Sequence, residues 1–106
     1  RVELINAATG WDTTPVELFE AGQRALNLAR VFNLREGLTA ADDRLPERSY
    51  GATRNGPLAD GGIDREELQE AVQLYYGMMG WDEESGRPSR ATLEKLGIGW
   101  AAQHLP

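Results

Sequence analysis

Residues 13–37, "TTPVELFEAGQRALNLARVFNLREG", decide the fold, because they form the clearest helix pattern in the chain. Thr14 is a candidate N-cap, Pro15 fits the first helical position, and Glu17 completes a capping box. Gly37 suits the left-handed position that follows a helix, so the pattern predicts a helix end one residue earlier.

The apolar residues of this helix recur at helical spacing and predict one broad buried face. Its polar residues, Asn27 and Arg30 among them, fall mostly on the other side. A face this broad favours cover on more than one side. The predicted stripe consists of Leu18, Ala21, Ala25, Leu28 and Phe32, widened by Phe19, Leu26 and Ala29.

A second strong helix is predicted after Asp64, with Glu67 completing the capping signal. Its core stripe is predicted from the helical spacing of Leu68, Val72, Tyr75 and Met79, with Ala71 and Tyr76 beside them, and Gly80 ends it. A short third helix runs from a cap at Ser89 to Leu96 and is closed by Gly97.

The rest of the chain is less regular. Val2, Ile5 and Ala8 have helical spacing without a preceding cap, which predicts a helix already in progress and a chain truncated on its N-terminal side. Thr39 and Asp42 cap a short turn that Pro46 stops. We interpret 49–62 as a glycine-rich loop and find no firm signal in the tail, 99–106. The prediction is all-α: one small irregular bundle of about four to five helices over 1–106.

The composition excludes several classes of function. The net charge of −6 disfavours nucleic acid and anionic membranes as partners. No apolar run approaches the roughly 18 residues that a membrane span needs. The 106 residues contain no cysteine, which excludes thiol catalysis and cysteine ligation of a metal or cluster. The single histidine, His104, lies in the tail and is expected to be solvated.

The tripeptide GWD occurs twice, at 10–12 and 80–82. In both places a predicted helix ends on glycine, and a tryptophan follows that can fold back onto the last turn. We therefore expect Trp11 and Trp81 to fill the core beneath two similar helix ends.

One segment offers a metal hypothesis. Residues 56–67, "GPLADGGIDREE", match part of a twelve-residue calcium loop, with Asp60, Asp64 and Glu67 as the candidate ligands. Gly56 and Leu58 stand where the first two side-chain ligands should be. The alternative interpretation of the chain, a free-standing helical binding module, rests on this degenerate loop.

Charges of alternating sign follow the first strong helix over residues 35–48. Such a cluster is either a solvated surface network or a buried network that fixes one domain against another. The broad apolar face of the preceding helix favours the second interpretation. The charged residues are Arg35, Glu36, Asp42, Asp43, Arg44, Glu47 and Arg48.

Two long blocks resemble the C-terminal segment of the tungsten-containing aldehyde:ferredoxin oxidoreductase family. They are "INAATGWDTTPVELFEAGQRALNLARVFNLREGLTAADDRLPER" and "YYGMMGWDEESGRPSRATLEKLGI", and with the loop between them they cover about residues 4–98. The resemblance implies a cytoplasmic parent enzyme that oxidises an aldehyde with water to a carboxylic acid. Electrons would pass from a tungsten bis-pterin (molybdopterin-type) site through a 4Fe–4S cluster to ferredoxin.

The resemblance assigns no catalytic, cofactor-binding or metal residue to this chain, because the family's ligands lie upstream of the matched region. It implies a C-terminal helical domain that is inactive alone, encloses the cofactor, and shapes the substrate channel. Its partners would be the upstream domains of the same parent chain, and a homo-oligomer stays open. Asn33, Arg35 and Glu36 match the family's "NLREG" block and are predicted to make an inter-domain contact.

Overall fold

The computed structural model describes residues 1–52, 55–57, 59 and 61–106 and confirms an all-α fold. Within these residues there are four α-helices and three short 3-10 helices, and no strand beyond an isolated bridge between Trp81 and Pro88. The α-helices are α1 (Val2–Thr9), α2 (Pro15–Arg35), α3 (Arg65–Met79) and α4 (Arg90–Lys95). The 3-10 helices are Ala40–Asp42, Glu47–Tyr50 and Gly99–His104.

The predicted helix caps are present. The Thr14 hydroxyl accepts the backbone N–H of Glu17 at the start of α2. Asp64 and Ser89 cap α3 and α4 in the same way. The Thr39–Asp42 capping box is also formed, although it encloses one 3-10 turn. These caps are local interactions between residues two or three apart, which explains why sequence alone locates them.

The core lies where α2, α4 and the C-terminal tail meet. Val31 packs with Leu93, Leu96, Ile98 and Ala101, and Leu28, Ala102 and Leu105 lie partly buried against them. The tail gave no sequence signal, yet its 3-10 helix supplies a wall of this core. Gly97 adopts a left-handed φ of 75° after α4, which turns the chain back so that the Ile98 N–H bonds to the Leu93 carbonyl.

The buried face of α2 differs from the predicted one. The buried residues are Asn27, Arg30, Val31 and Leu34. Most of the predicted apolar stripe is exposed, including Phe19 (68%) and Phe32 (53%). The helix therefore buries the face that carries an arginine and an asparagine, because both find polar partners there.

Two further core predictions are wrong. Tyr75 of the predicted α3 stripe is 46% exposed, whereas Tyr76 beside it is buried as expected. Trp81 is buried as expected, but Trp11, in the same GWD context, is 65% exposed. Trp81 has polar and aromatic neighbours on α2 and α3, and Trp11 sits beside α1, which has no buried residue.

The chain is elongated. Its Cα radius of gyration is 17.9 Å, whereas a compact domain of this length has a value of about 13 Å. α1 and the first half of α2 contribute little to the core, and Leu4, Val16 and Phe19 on them are exposed. No helix in the described residues is both long enough and apolar enough to cross a membrane.

Candidate functional site

Arg30 lies at the centre of a buried cluster that joins four parts of the chain. It projects from α2 and is 7% exposed. Its Nη2 is 2.7 Å from Oδ2 of Asp43 and 3.3 Å from the Tyr76 hydroxyl, and its Nε donates to the Gly86 carbonyl at 2.9 Å. The Tyr76 hydroxyl also donates to Asp43. One side chain thus connects α2, the 39–45 loop, α3 and the 82–88 turn.

Aromatic rings enclose the guanidinium from two sides. Its central carbon lies 5.2 Å from the ring centre of Tyr76 and 5.0 Å from that of Trp81. The Trp81 Nε1–H donates to Oδ1 of Asn27 at 2.8 Å, and the Asn27 amide donates to the Gln23 carbonyl at 2.8 Å. The side-chain polar groups of Trp81 and Asn27 therefore all have hydrogen-bond partners. We call Asn27, Arg30, Asp43, Tyr76 and Trp81 the Arg30 cluster.

The turn after α3 presents the Gly86 carbonyl to Arg30. Gly80 ends α3 in the left-handed conformation, and Asp82 then accepts hydrogen bonds from Glu84 and Ser85, which holds the turn. Gly86 has a φ of 66°, and a Cβ there would lie 2.7 Å from Cζ of Tyr76 and against Arg30. Only glycine satisfies both the backbone conformation and the close approach.

The 39–45 loop carries Asp43 to the cluster. The Thr39–Asp42 capping box folds the loop's first turn, and the Asp43 N–H bonds to the Ala40 carbonyl. At its far end the Leu45 N–H donates to the Tyr50 hydroxyl at 3.2 Å. The loop is thus organised locally, and Asp43 ties it to α2 and α3.

The cluster fixes the protonation state of its members. Burial opposes ionisation of Asp43, but the hydrogen bonds from Arg30 and Tyr76 and the charge of Arg30 outweigh it, so the pKa of Asp43 is lowered. Burial and the bond to Asp43 raise the pKa of Tyr76. Burial lowers the pKa of Arg30, yet its contacts with Asp43 and Tyr76 prevail and raise it overall. At neutral pH the cluster is an ion pair with a protonated tyrosine.

A cleft of about 540 Å³ opens beside the cluster, between the 39–45 loop and α3. This volume lies in the range of roughly 300–1,000 Å³ that is typical of small-molecule sites. Its polar lining comes from Arg30, Asp42, Asp43, Arg44 and Tyr76, and its other walls are mainly apolar. The wall residues include Leu45, Leu68, Ala71, Val72, Tyr75 and Trp81.

The buried polar groups beside the cleft are already paired, in the part of the chain that the structure describes. Each buried side-chain polar atom among these residues has a hydrogen-bond partner. The Tyr76 hydroxyl already donates to the Asp43 carboxylate, and no three acidic or histidine residues of the described part converge on a point. The arrangement can position the loop and receive an apolar group.

The sequence pattern did not predict the Arg30 cluster. It placed Arg30 and Asn27 on the polar side of α2 and treated Asp43 as one charge of a run. The sequence did contain a signal that this face is buried. Positions 27, 30, 31 and 34 share one face of the helix, and two of them, Val31 and Leu34, are apolar. The partners Asp43, Tyr76 and Gly86 lie 13 to 56 positions from Arg30, beyond the reach of local patterns.

The predicted inter-domain residues lie outside this cluster. Asn33, Arg35 and Glu36 are exposed at the end of α2. Arg35 is 3.4 Å from Glu36 and lies over the Phe32 ring at 5.3 Å. Their role in an inter-domain contact remains a prediction.

The charged run of residues 35–48 combines both kinds of network. The half-buried Asp43 pairs with the buried Arg30, whereas Glu47 makes an exposed pair with Arg65. The pair of Arg30 and Asp43 fixes parts of this chain against each other.

The candidate calcium loop is only partly described. Asp60 lies outside the described residues. The Asp64 carboxylate accepts the N–H groups of Glu66 and Glu67 at 2.8 and 3.0 Å, so it serves as the cap of α3. His104 is exposed, as expected, and stacks edge-on against Trp100.

Across the described residues, the fold and the cluster define a helical domain with its buried side-chain polar atoms paired and an apolar face of α2 exposed. Comparison with known proteins gives its family. The profile described as "Aldehyde ferredoxin oxidoreductase, domains 2 & 3" matches residues 1–98. The chain belongs to the aldehyde ferredoxin oxidoreductase family.

Curated relatives agree with this assignment. The tungsten-containing aldehyde ferredoxin oxidoreductase of Pyrococcus furiosus is 38% identical over 91% of the chain, and that of Thermococcus kodakarensis is 37% identical over 91%. An aliphatic sulfonate oxidoreductase, WOR-like subunit, of Pyrococcus furiosus is 34% identical over 98%. The chain spans only 16 to 18% of the length of these relatives.

The chain's residues do not fit a role as ligands of an iron–sulfur cluster, because the sequence contains no cysteine. Within the described residues, no group of three or more His, Cys, Asp or Glu side chains is placed to hold a metal ion. We derive no chemical step through a metal or cluster for this chain.

Proposed function

We propose that this chain is the helical, non-catalytic part of a tungsten-dependent aldehyde:ferredoxin oxidoreductase. The enzyme would convert an aldehyde and water to a carboxylic acid, releasing two protons and passing two electrons to ferredoxin. The single observation that carries the proposal is the family match over residues 1–98. The names of two relatives, from Pyrococcus furiosus and Thermococcus kodakarensis, support the tungsten chemistry.

In this proposal the upstream domains of the same polypeptide hold the tungsten bis-pterin and the 4Fe–4S cluster. The lack of cysteine in this chain supports that division. The parent acts in the cytoplasm, and a homo-oligomeric parent is compatible with the proposal.

The chain's own contribution would be to enclose the cofactor and to form one wall of the substrate channel. The cleft between the 39–45 loop and α3 supports this role, because its apolar walls suit the hydrocarbon part of an aldehyde. The Arg30 cluster would set the width of the cleft, since Asp43 ties the loop to α2 and α3. The sulfonate-acting relative is named for a different substrate, which fits a channel whose walls vary within the family.

The experiment uses the natural polypeptide that contains these residues. It is purified and assayed for tungsten, iron and ferredoxin-linked aldehyde oxidation, beside the 106-residue chain alone. We expect metal and activity in the longer protein and neither in the 106-residue chain.

Removing the segment from the longer protein should abolish activity, and co-expressing it as a separate chain should restore a part. A longer protein without tungsten, or one fully active without this segment, would refute the proposal.

A further inference from the structure

The outward face of α2 is the most apolar uncovered surface of the helix. Over residues 18–32 this face contains no charged residue, and the side chains are exposed except for half-buried Leu18. The opposite face holds the buried Asn27 and Arg30. Soluble helices normally bury their apolar face, so this arrangement indicates that another element covers α2. The outward face comprises Leu18, Ala21, Gly22, Ala25, Ala29 and Phe32, with Phe19 and Leu26 at its edge.

The shape of this face points to a helix as the covering element. Ala21, Ala25 and Ala29 follow each other at four-residue spacing and form a low row. Leu18 and Phe32 flank the row at its two ends. A row of small residues between larger ones is a groove that accepts the side-chain ridge of a second helix at short interaxial distance.

We propose that α2 packs through this face against a helix from the remaining part of the same enzyme, an inference that rests on the proposed function. The relatives are about six times longer than this chain, so most of the polypeptide that would surround it lies outside the 106 residues. A second copy is a weaker occupant, since two chains that each carry a net charge of −6 repel one another.

Cysteine labelling tests the proposal directly. Ala25→Cys places a thiol in the middle of the row, and Glu20→Cys places one on the other side of the same helix as a matched control. Both positions are exposed in the 106-residue chain, where maleimide should label them at similar rates. In the longer natural protein we expect labelling at position 25 to slow by about tenfold or more, as for a thiol that reacts only through local opening. Position 20 should keep its rate.

The pattern of protection distinguishes a helix from other cover. Ala21→Cys and Ala29→Cys should be protected together with Ala25→Cys. Equal rates at positions 20 and 25 in the longer protein would overturn the proposal. Protection at position 25 that increases with concentration in the 106-residue chain would identify a second copy instead, and would also overturn it.

Failure of the proposed function is a separate result. A longer protein that lacks tungsten and aldehyde oxidation can still protect position 25, and an active tungsten enzyme can leave it reactive. The labelling and the metal analysis therefore test different claims.

Discussion

Replacing Arg30 with alanine should destabilise the chain more than any other loss of a single charge. The substitution leaves Asp43 without its cation and the Gly86 carbonyl without its donor, and opens a gap between Tyr76 and Trp81. Breaking a fully buried ion pair by removing one partner costs about 3–5 kcal/mol, and because the Asp43 side chain is 27% exposed the loss should be about 2–3 kcal/mol. With a urea slope of about 1.5 kcal/mol/M, the unfolding midpoint should fall by roughly 1.3–2 M.

The assay is urea unfolding of the 106-residue chain, followed by far-ultraviolet circular dichroism. Arg35→Ala is the matched control, because Arg35 lies on the same helix in an exposed pair with Glu36. Loss of an exposed pair changes the free energy of unfolding by about 0–1 kcal/mol. Arg30→Lys should fall between the two, since lysine keeps the charge and loses the planar set of donors.

The reasoning would be refuted if Arg30→Ala and Arg35→Ala lowered the free energy of unfolding equally, within about 0.5 kcal/mol. Equal effects would mean that the cluster contributes no more than a surface ion pair. If Arg30→Ala is already unfolded in water, the comparison of Arg30→Lys with Arg35→Ala still decides the matter.

Three further predictions concern pH, backbone conformation and the apolar core. Because the pKa of Asp43 is lowered in the folded chain, the ionised Asp43 should stabilise the fold above pH about 4, and this stabilisation should be lost as the pH falls further. The urea unfolding midpoint should therefore fall on the acid side. Asp43→Asn should make that fall smaller. Gly86→Ala should lower the free energy of unfolding by about 2–3 kcal/mol, and the Gly97→Ala control by about 1 kcal/mol. Both glycines have a positive φ, but only Gly86 lacks room for a Cβ. Similar thermal unfolding midpoints for the two variants would contradict this prediction. Leu93→Ala should lower the free energy of unfolding in urea by about 2–5 kcal/mol, because Leu93 is fully buried in the core. A smaller loss than that of Arg35→Ala would show that the core between α2, α4 and the tail is not formed.

Local structure was predictable from the sequence to a large extent. Thr14, Asp64 and Ser89 cap their helices as expected, because capping depends on residues two or three positions away. The helix ends at Gly80 and Gly97 follow from the left-handed conformation that glycine adopts readily.

Burial was less predictable, since it depends on contacts between distant residues. Periodicity located the apolar face of α2 but did not show that Arg30 and Asn27 would be buried by their partners. Trp11 and Trp81 share a tripeptide and differ in exposure because only Trp81 meets Asn27 and Arg30. The 3-10 helix of the tail is too short for a period to emerge.

The position of the tail affects where this segment can be cut. The family profile ends at residue 98, and a fragment designed on that boundary would stop three residues before Ala101. Ala101 is 1% exposed, and Ala102 and Leu105 lie beside it against the core. A shortened fragment would open Val31 and Leu93 to water at the junction of two helices. For expression or transplantation, the last eight residues belong with the helices that precede them.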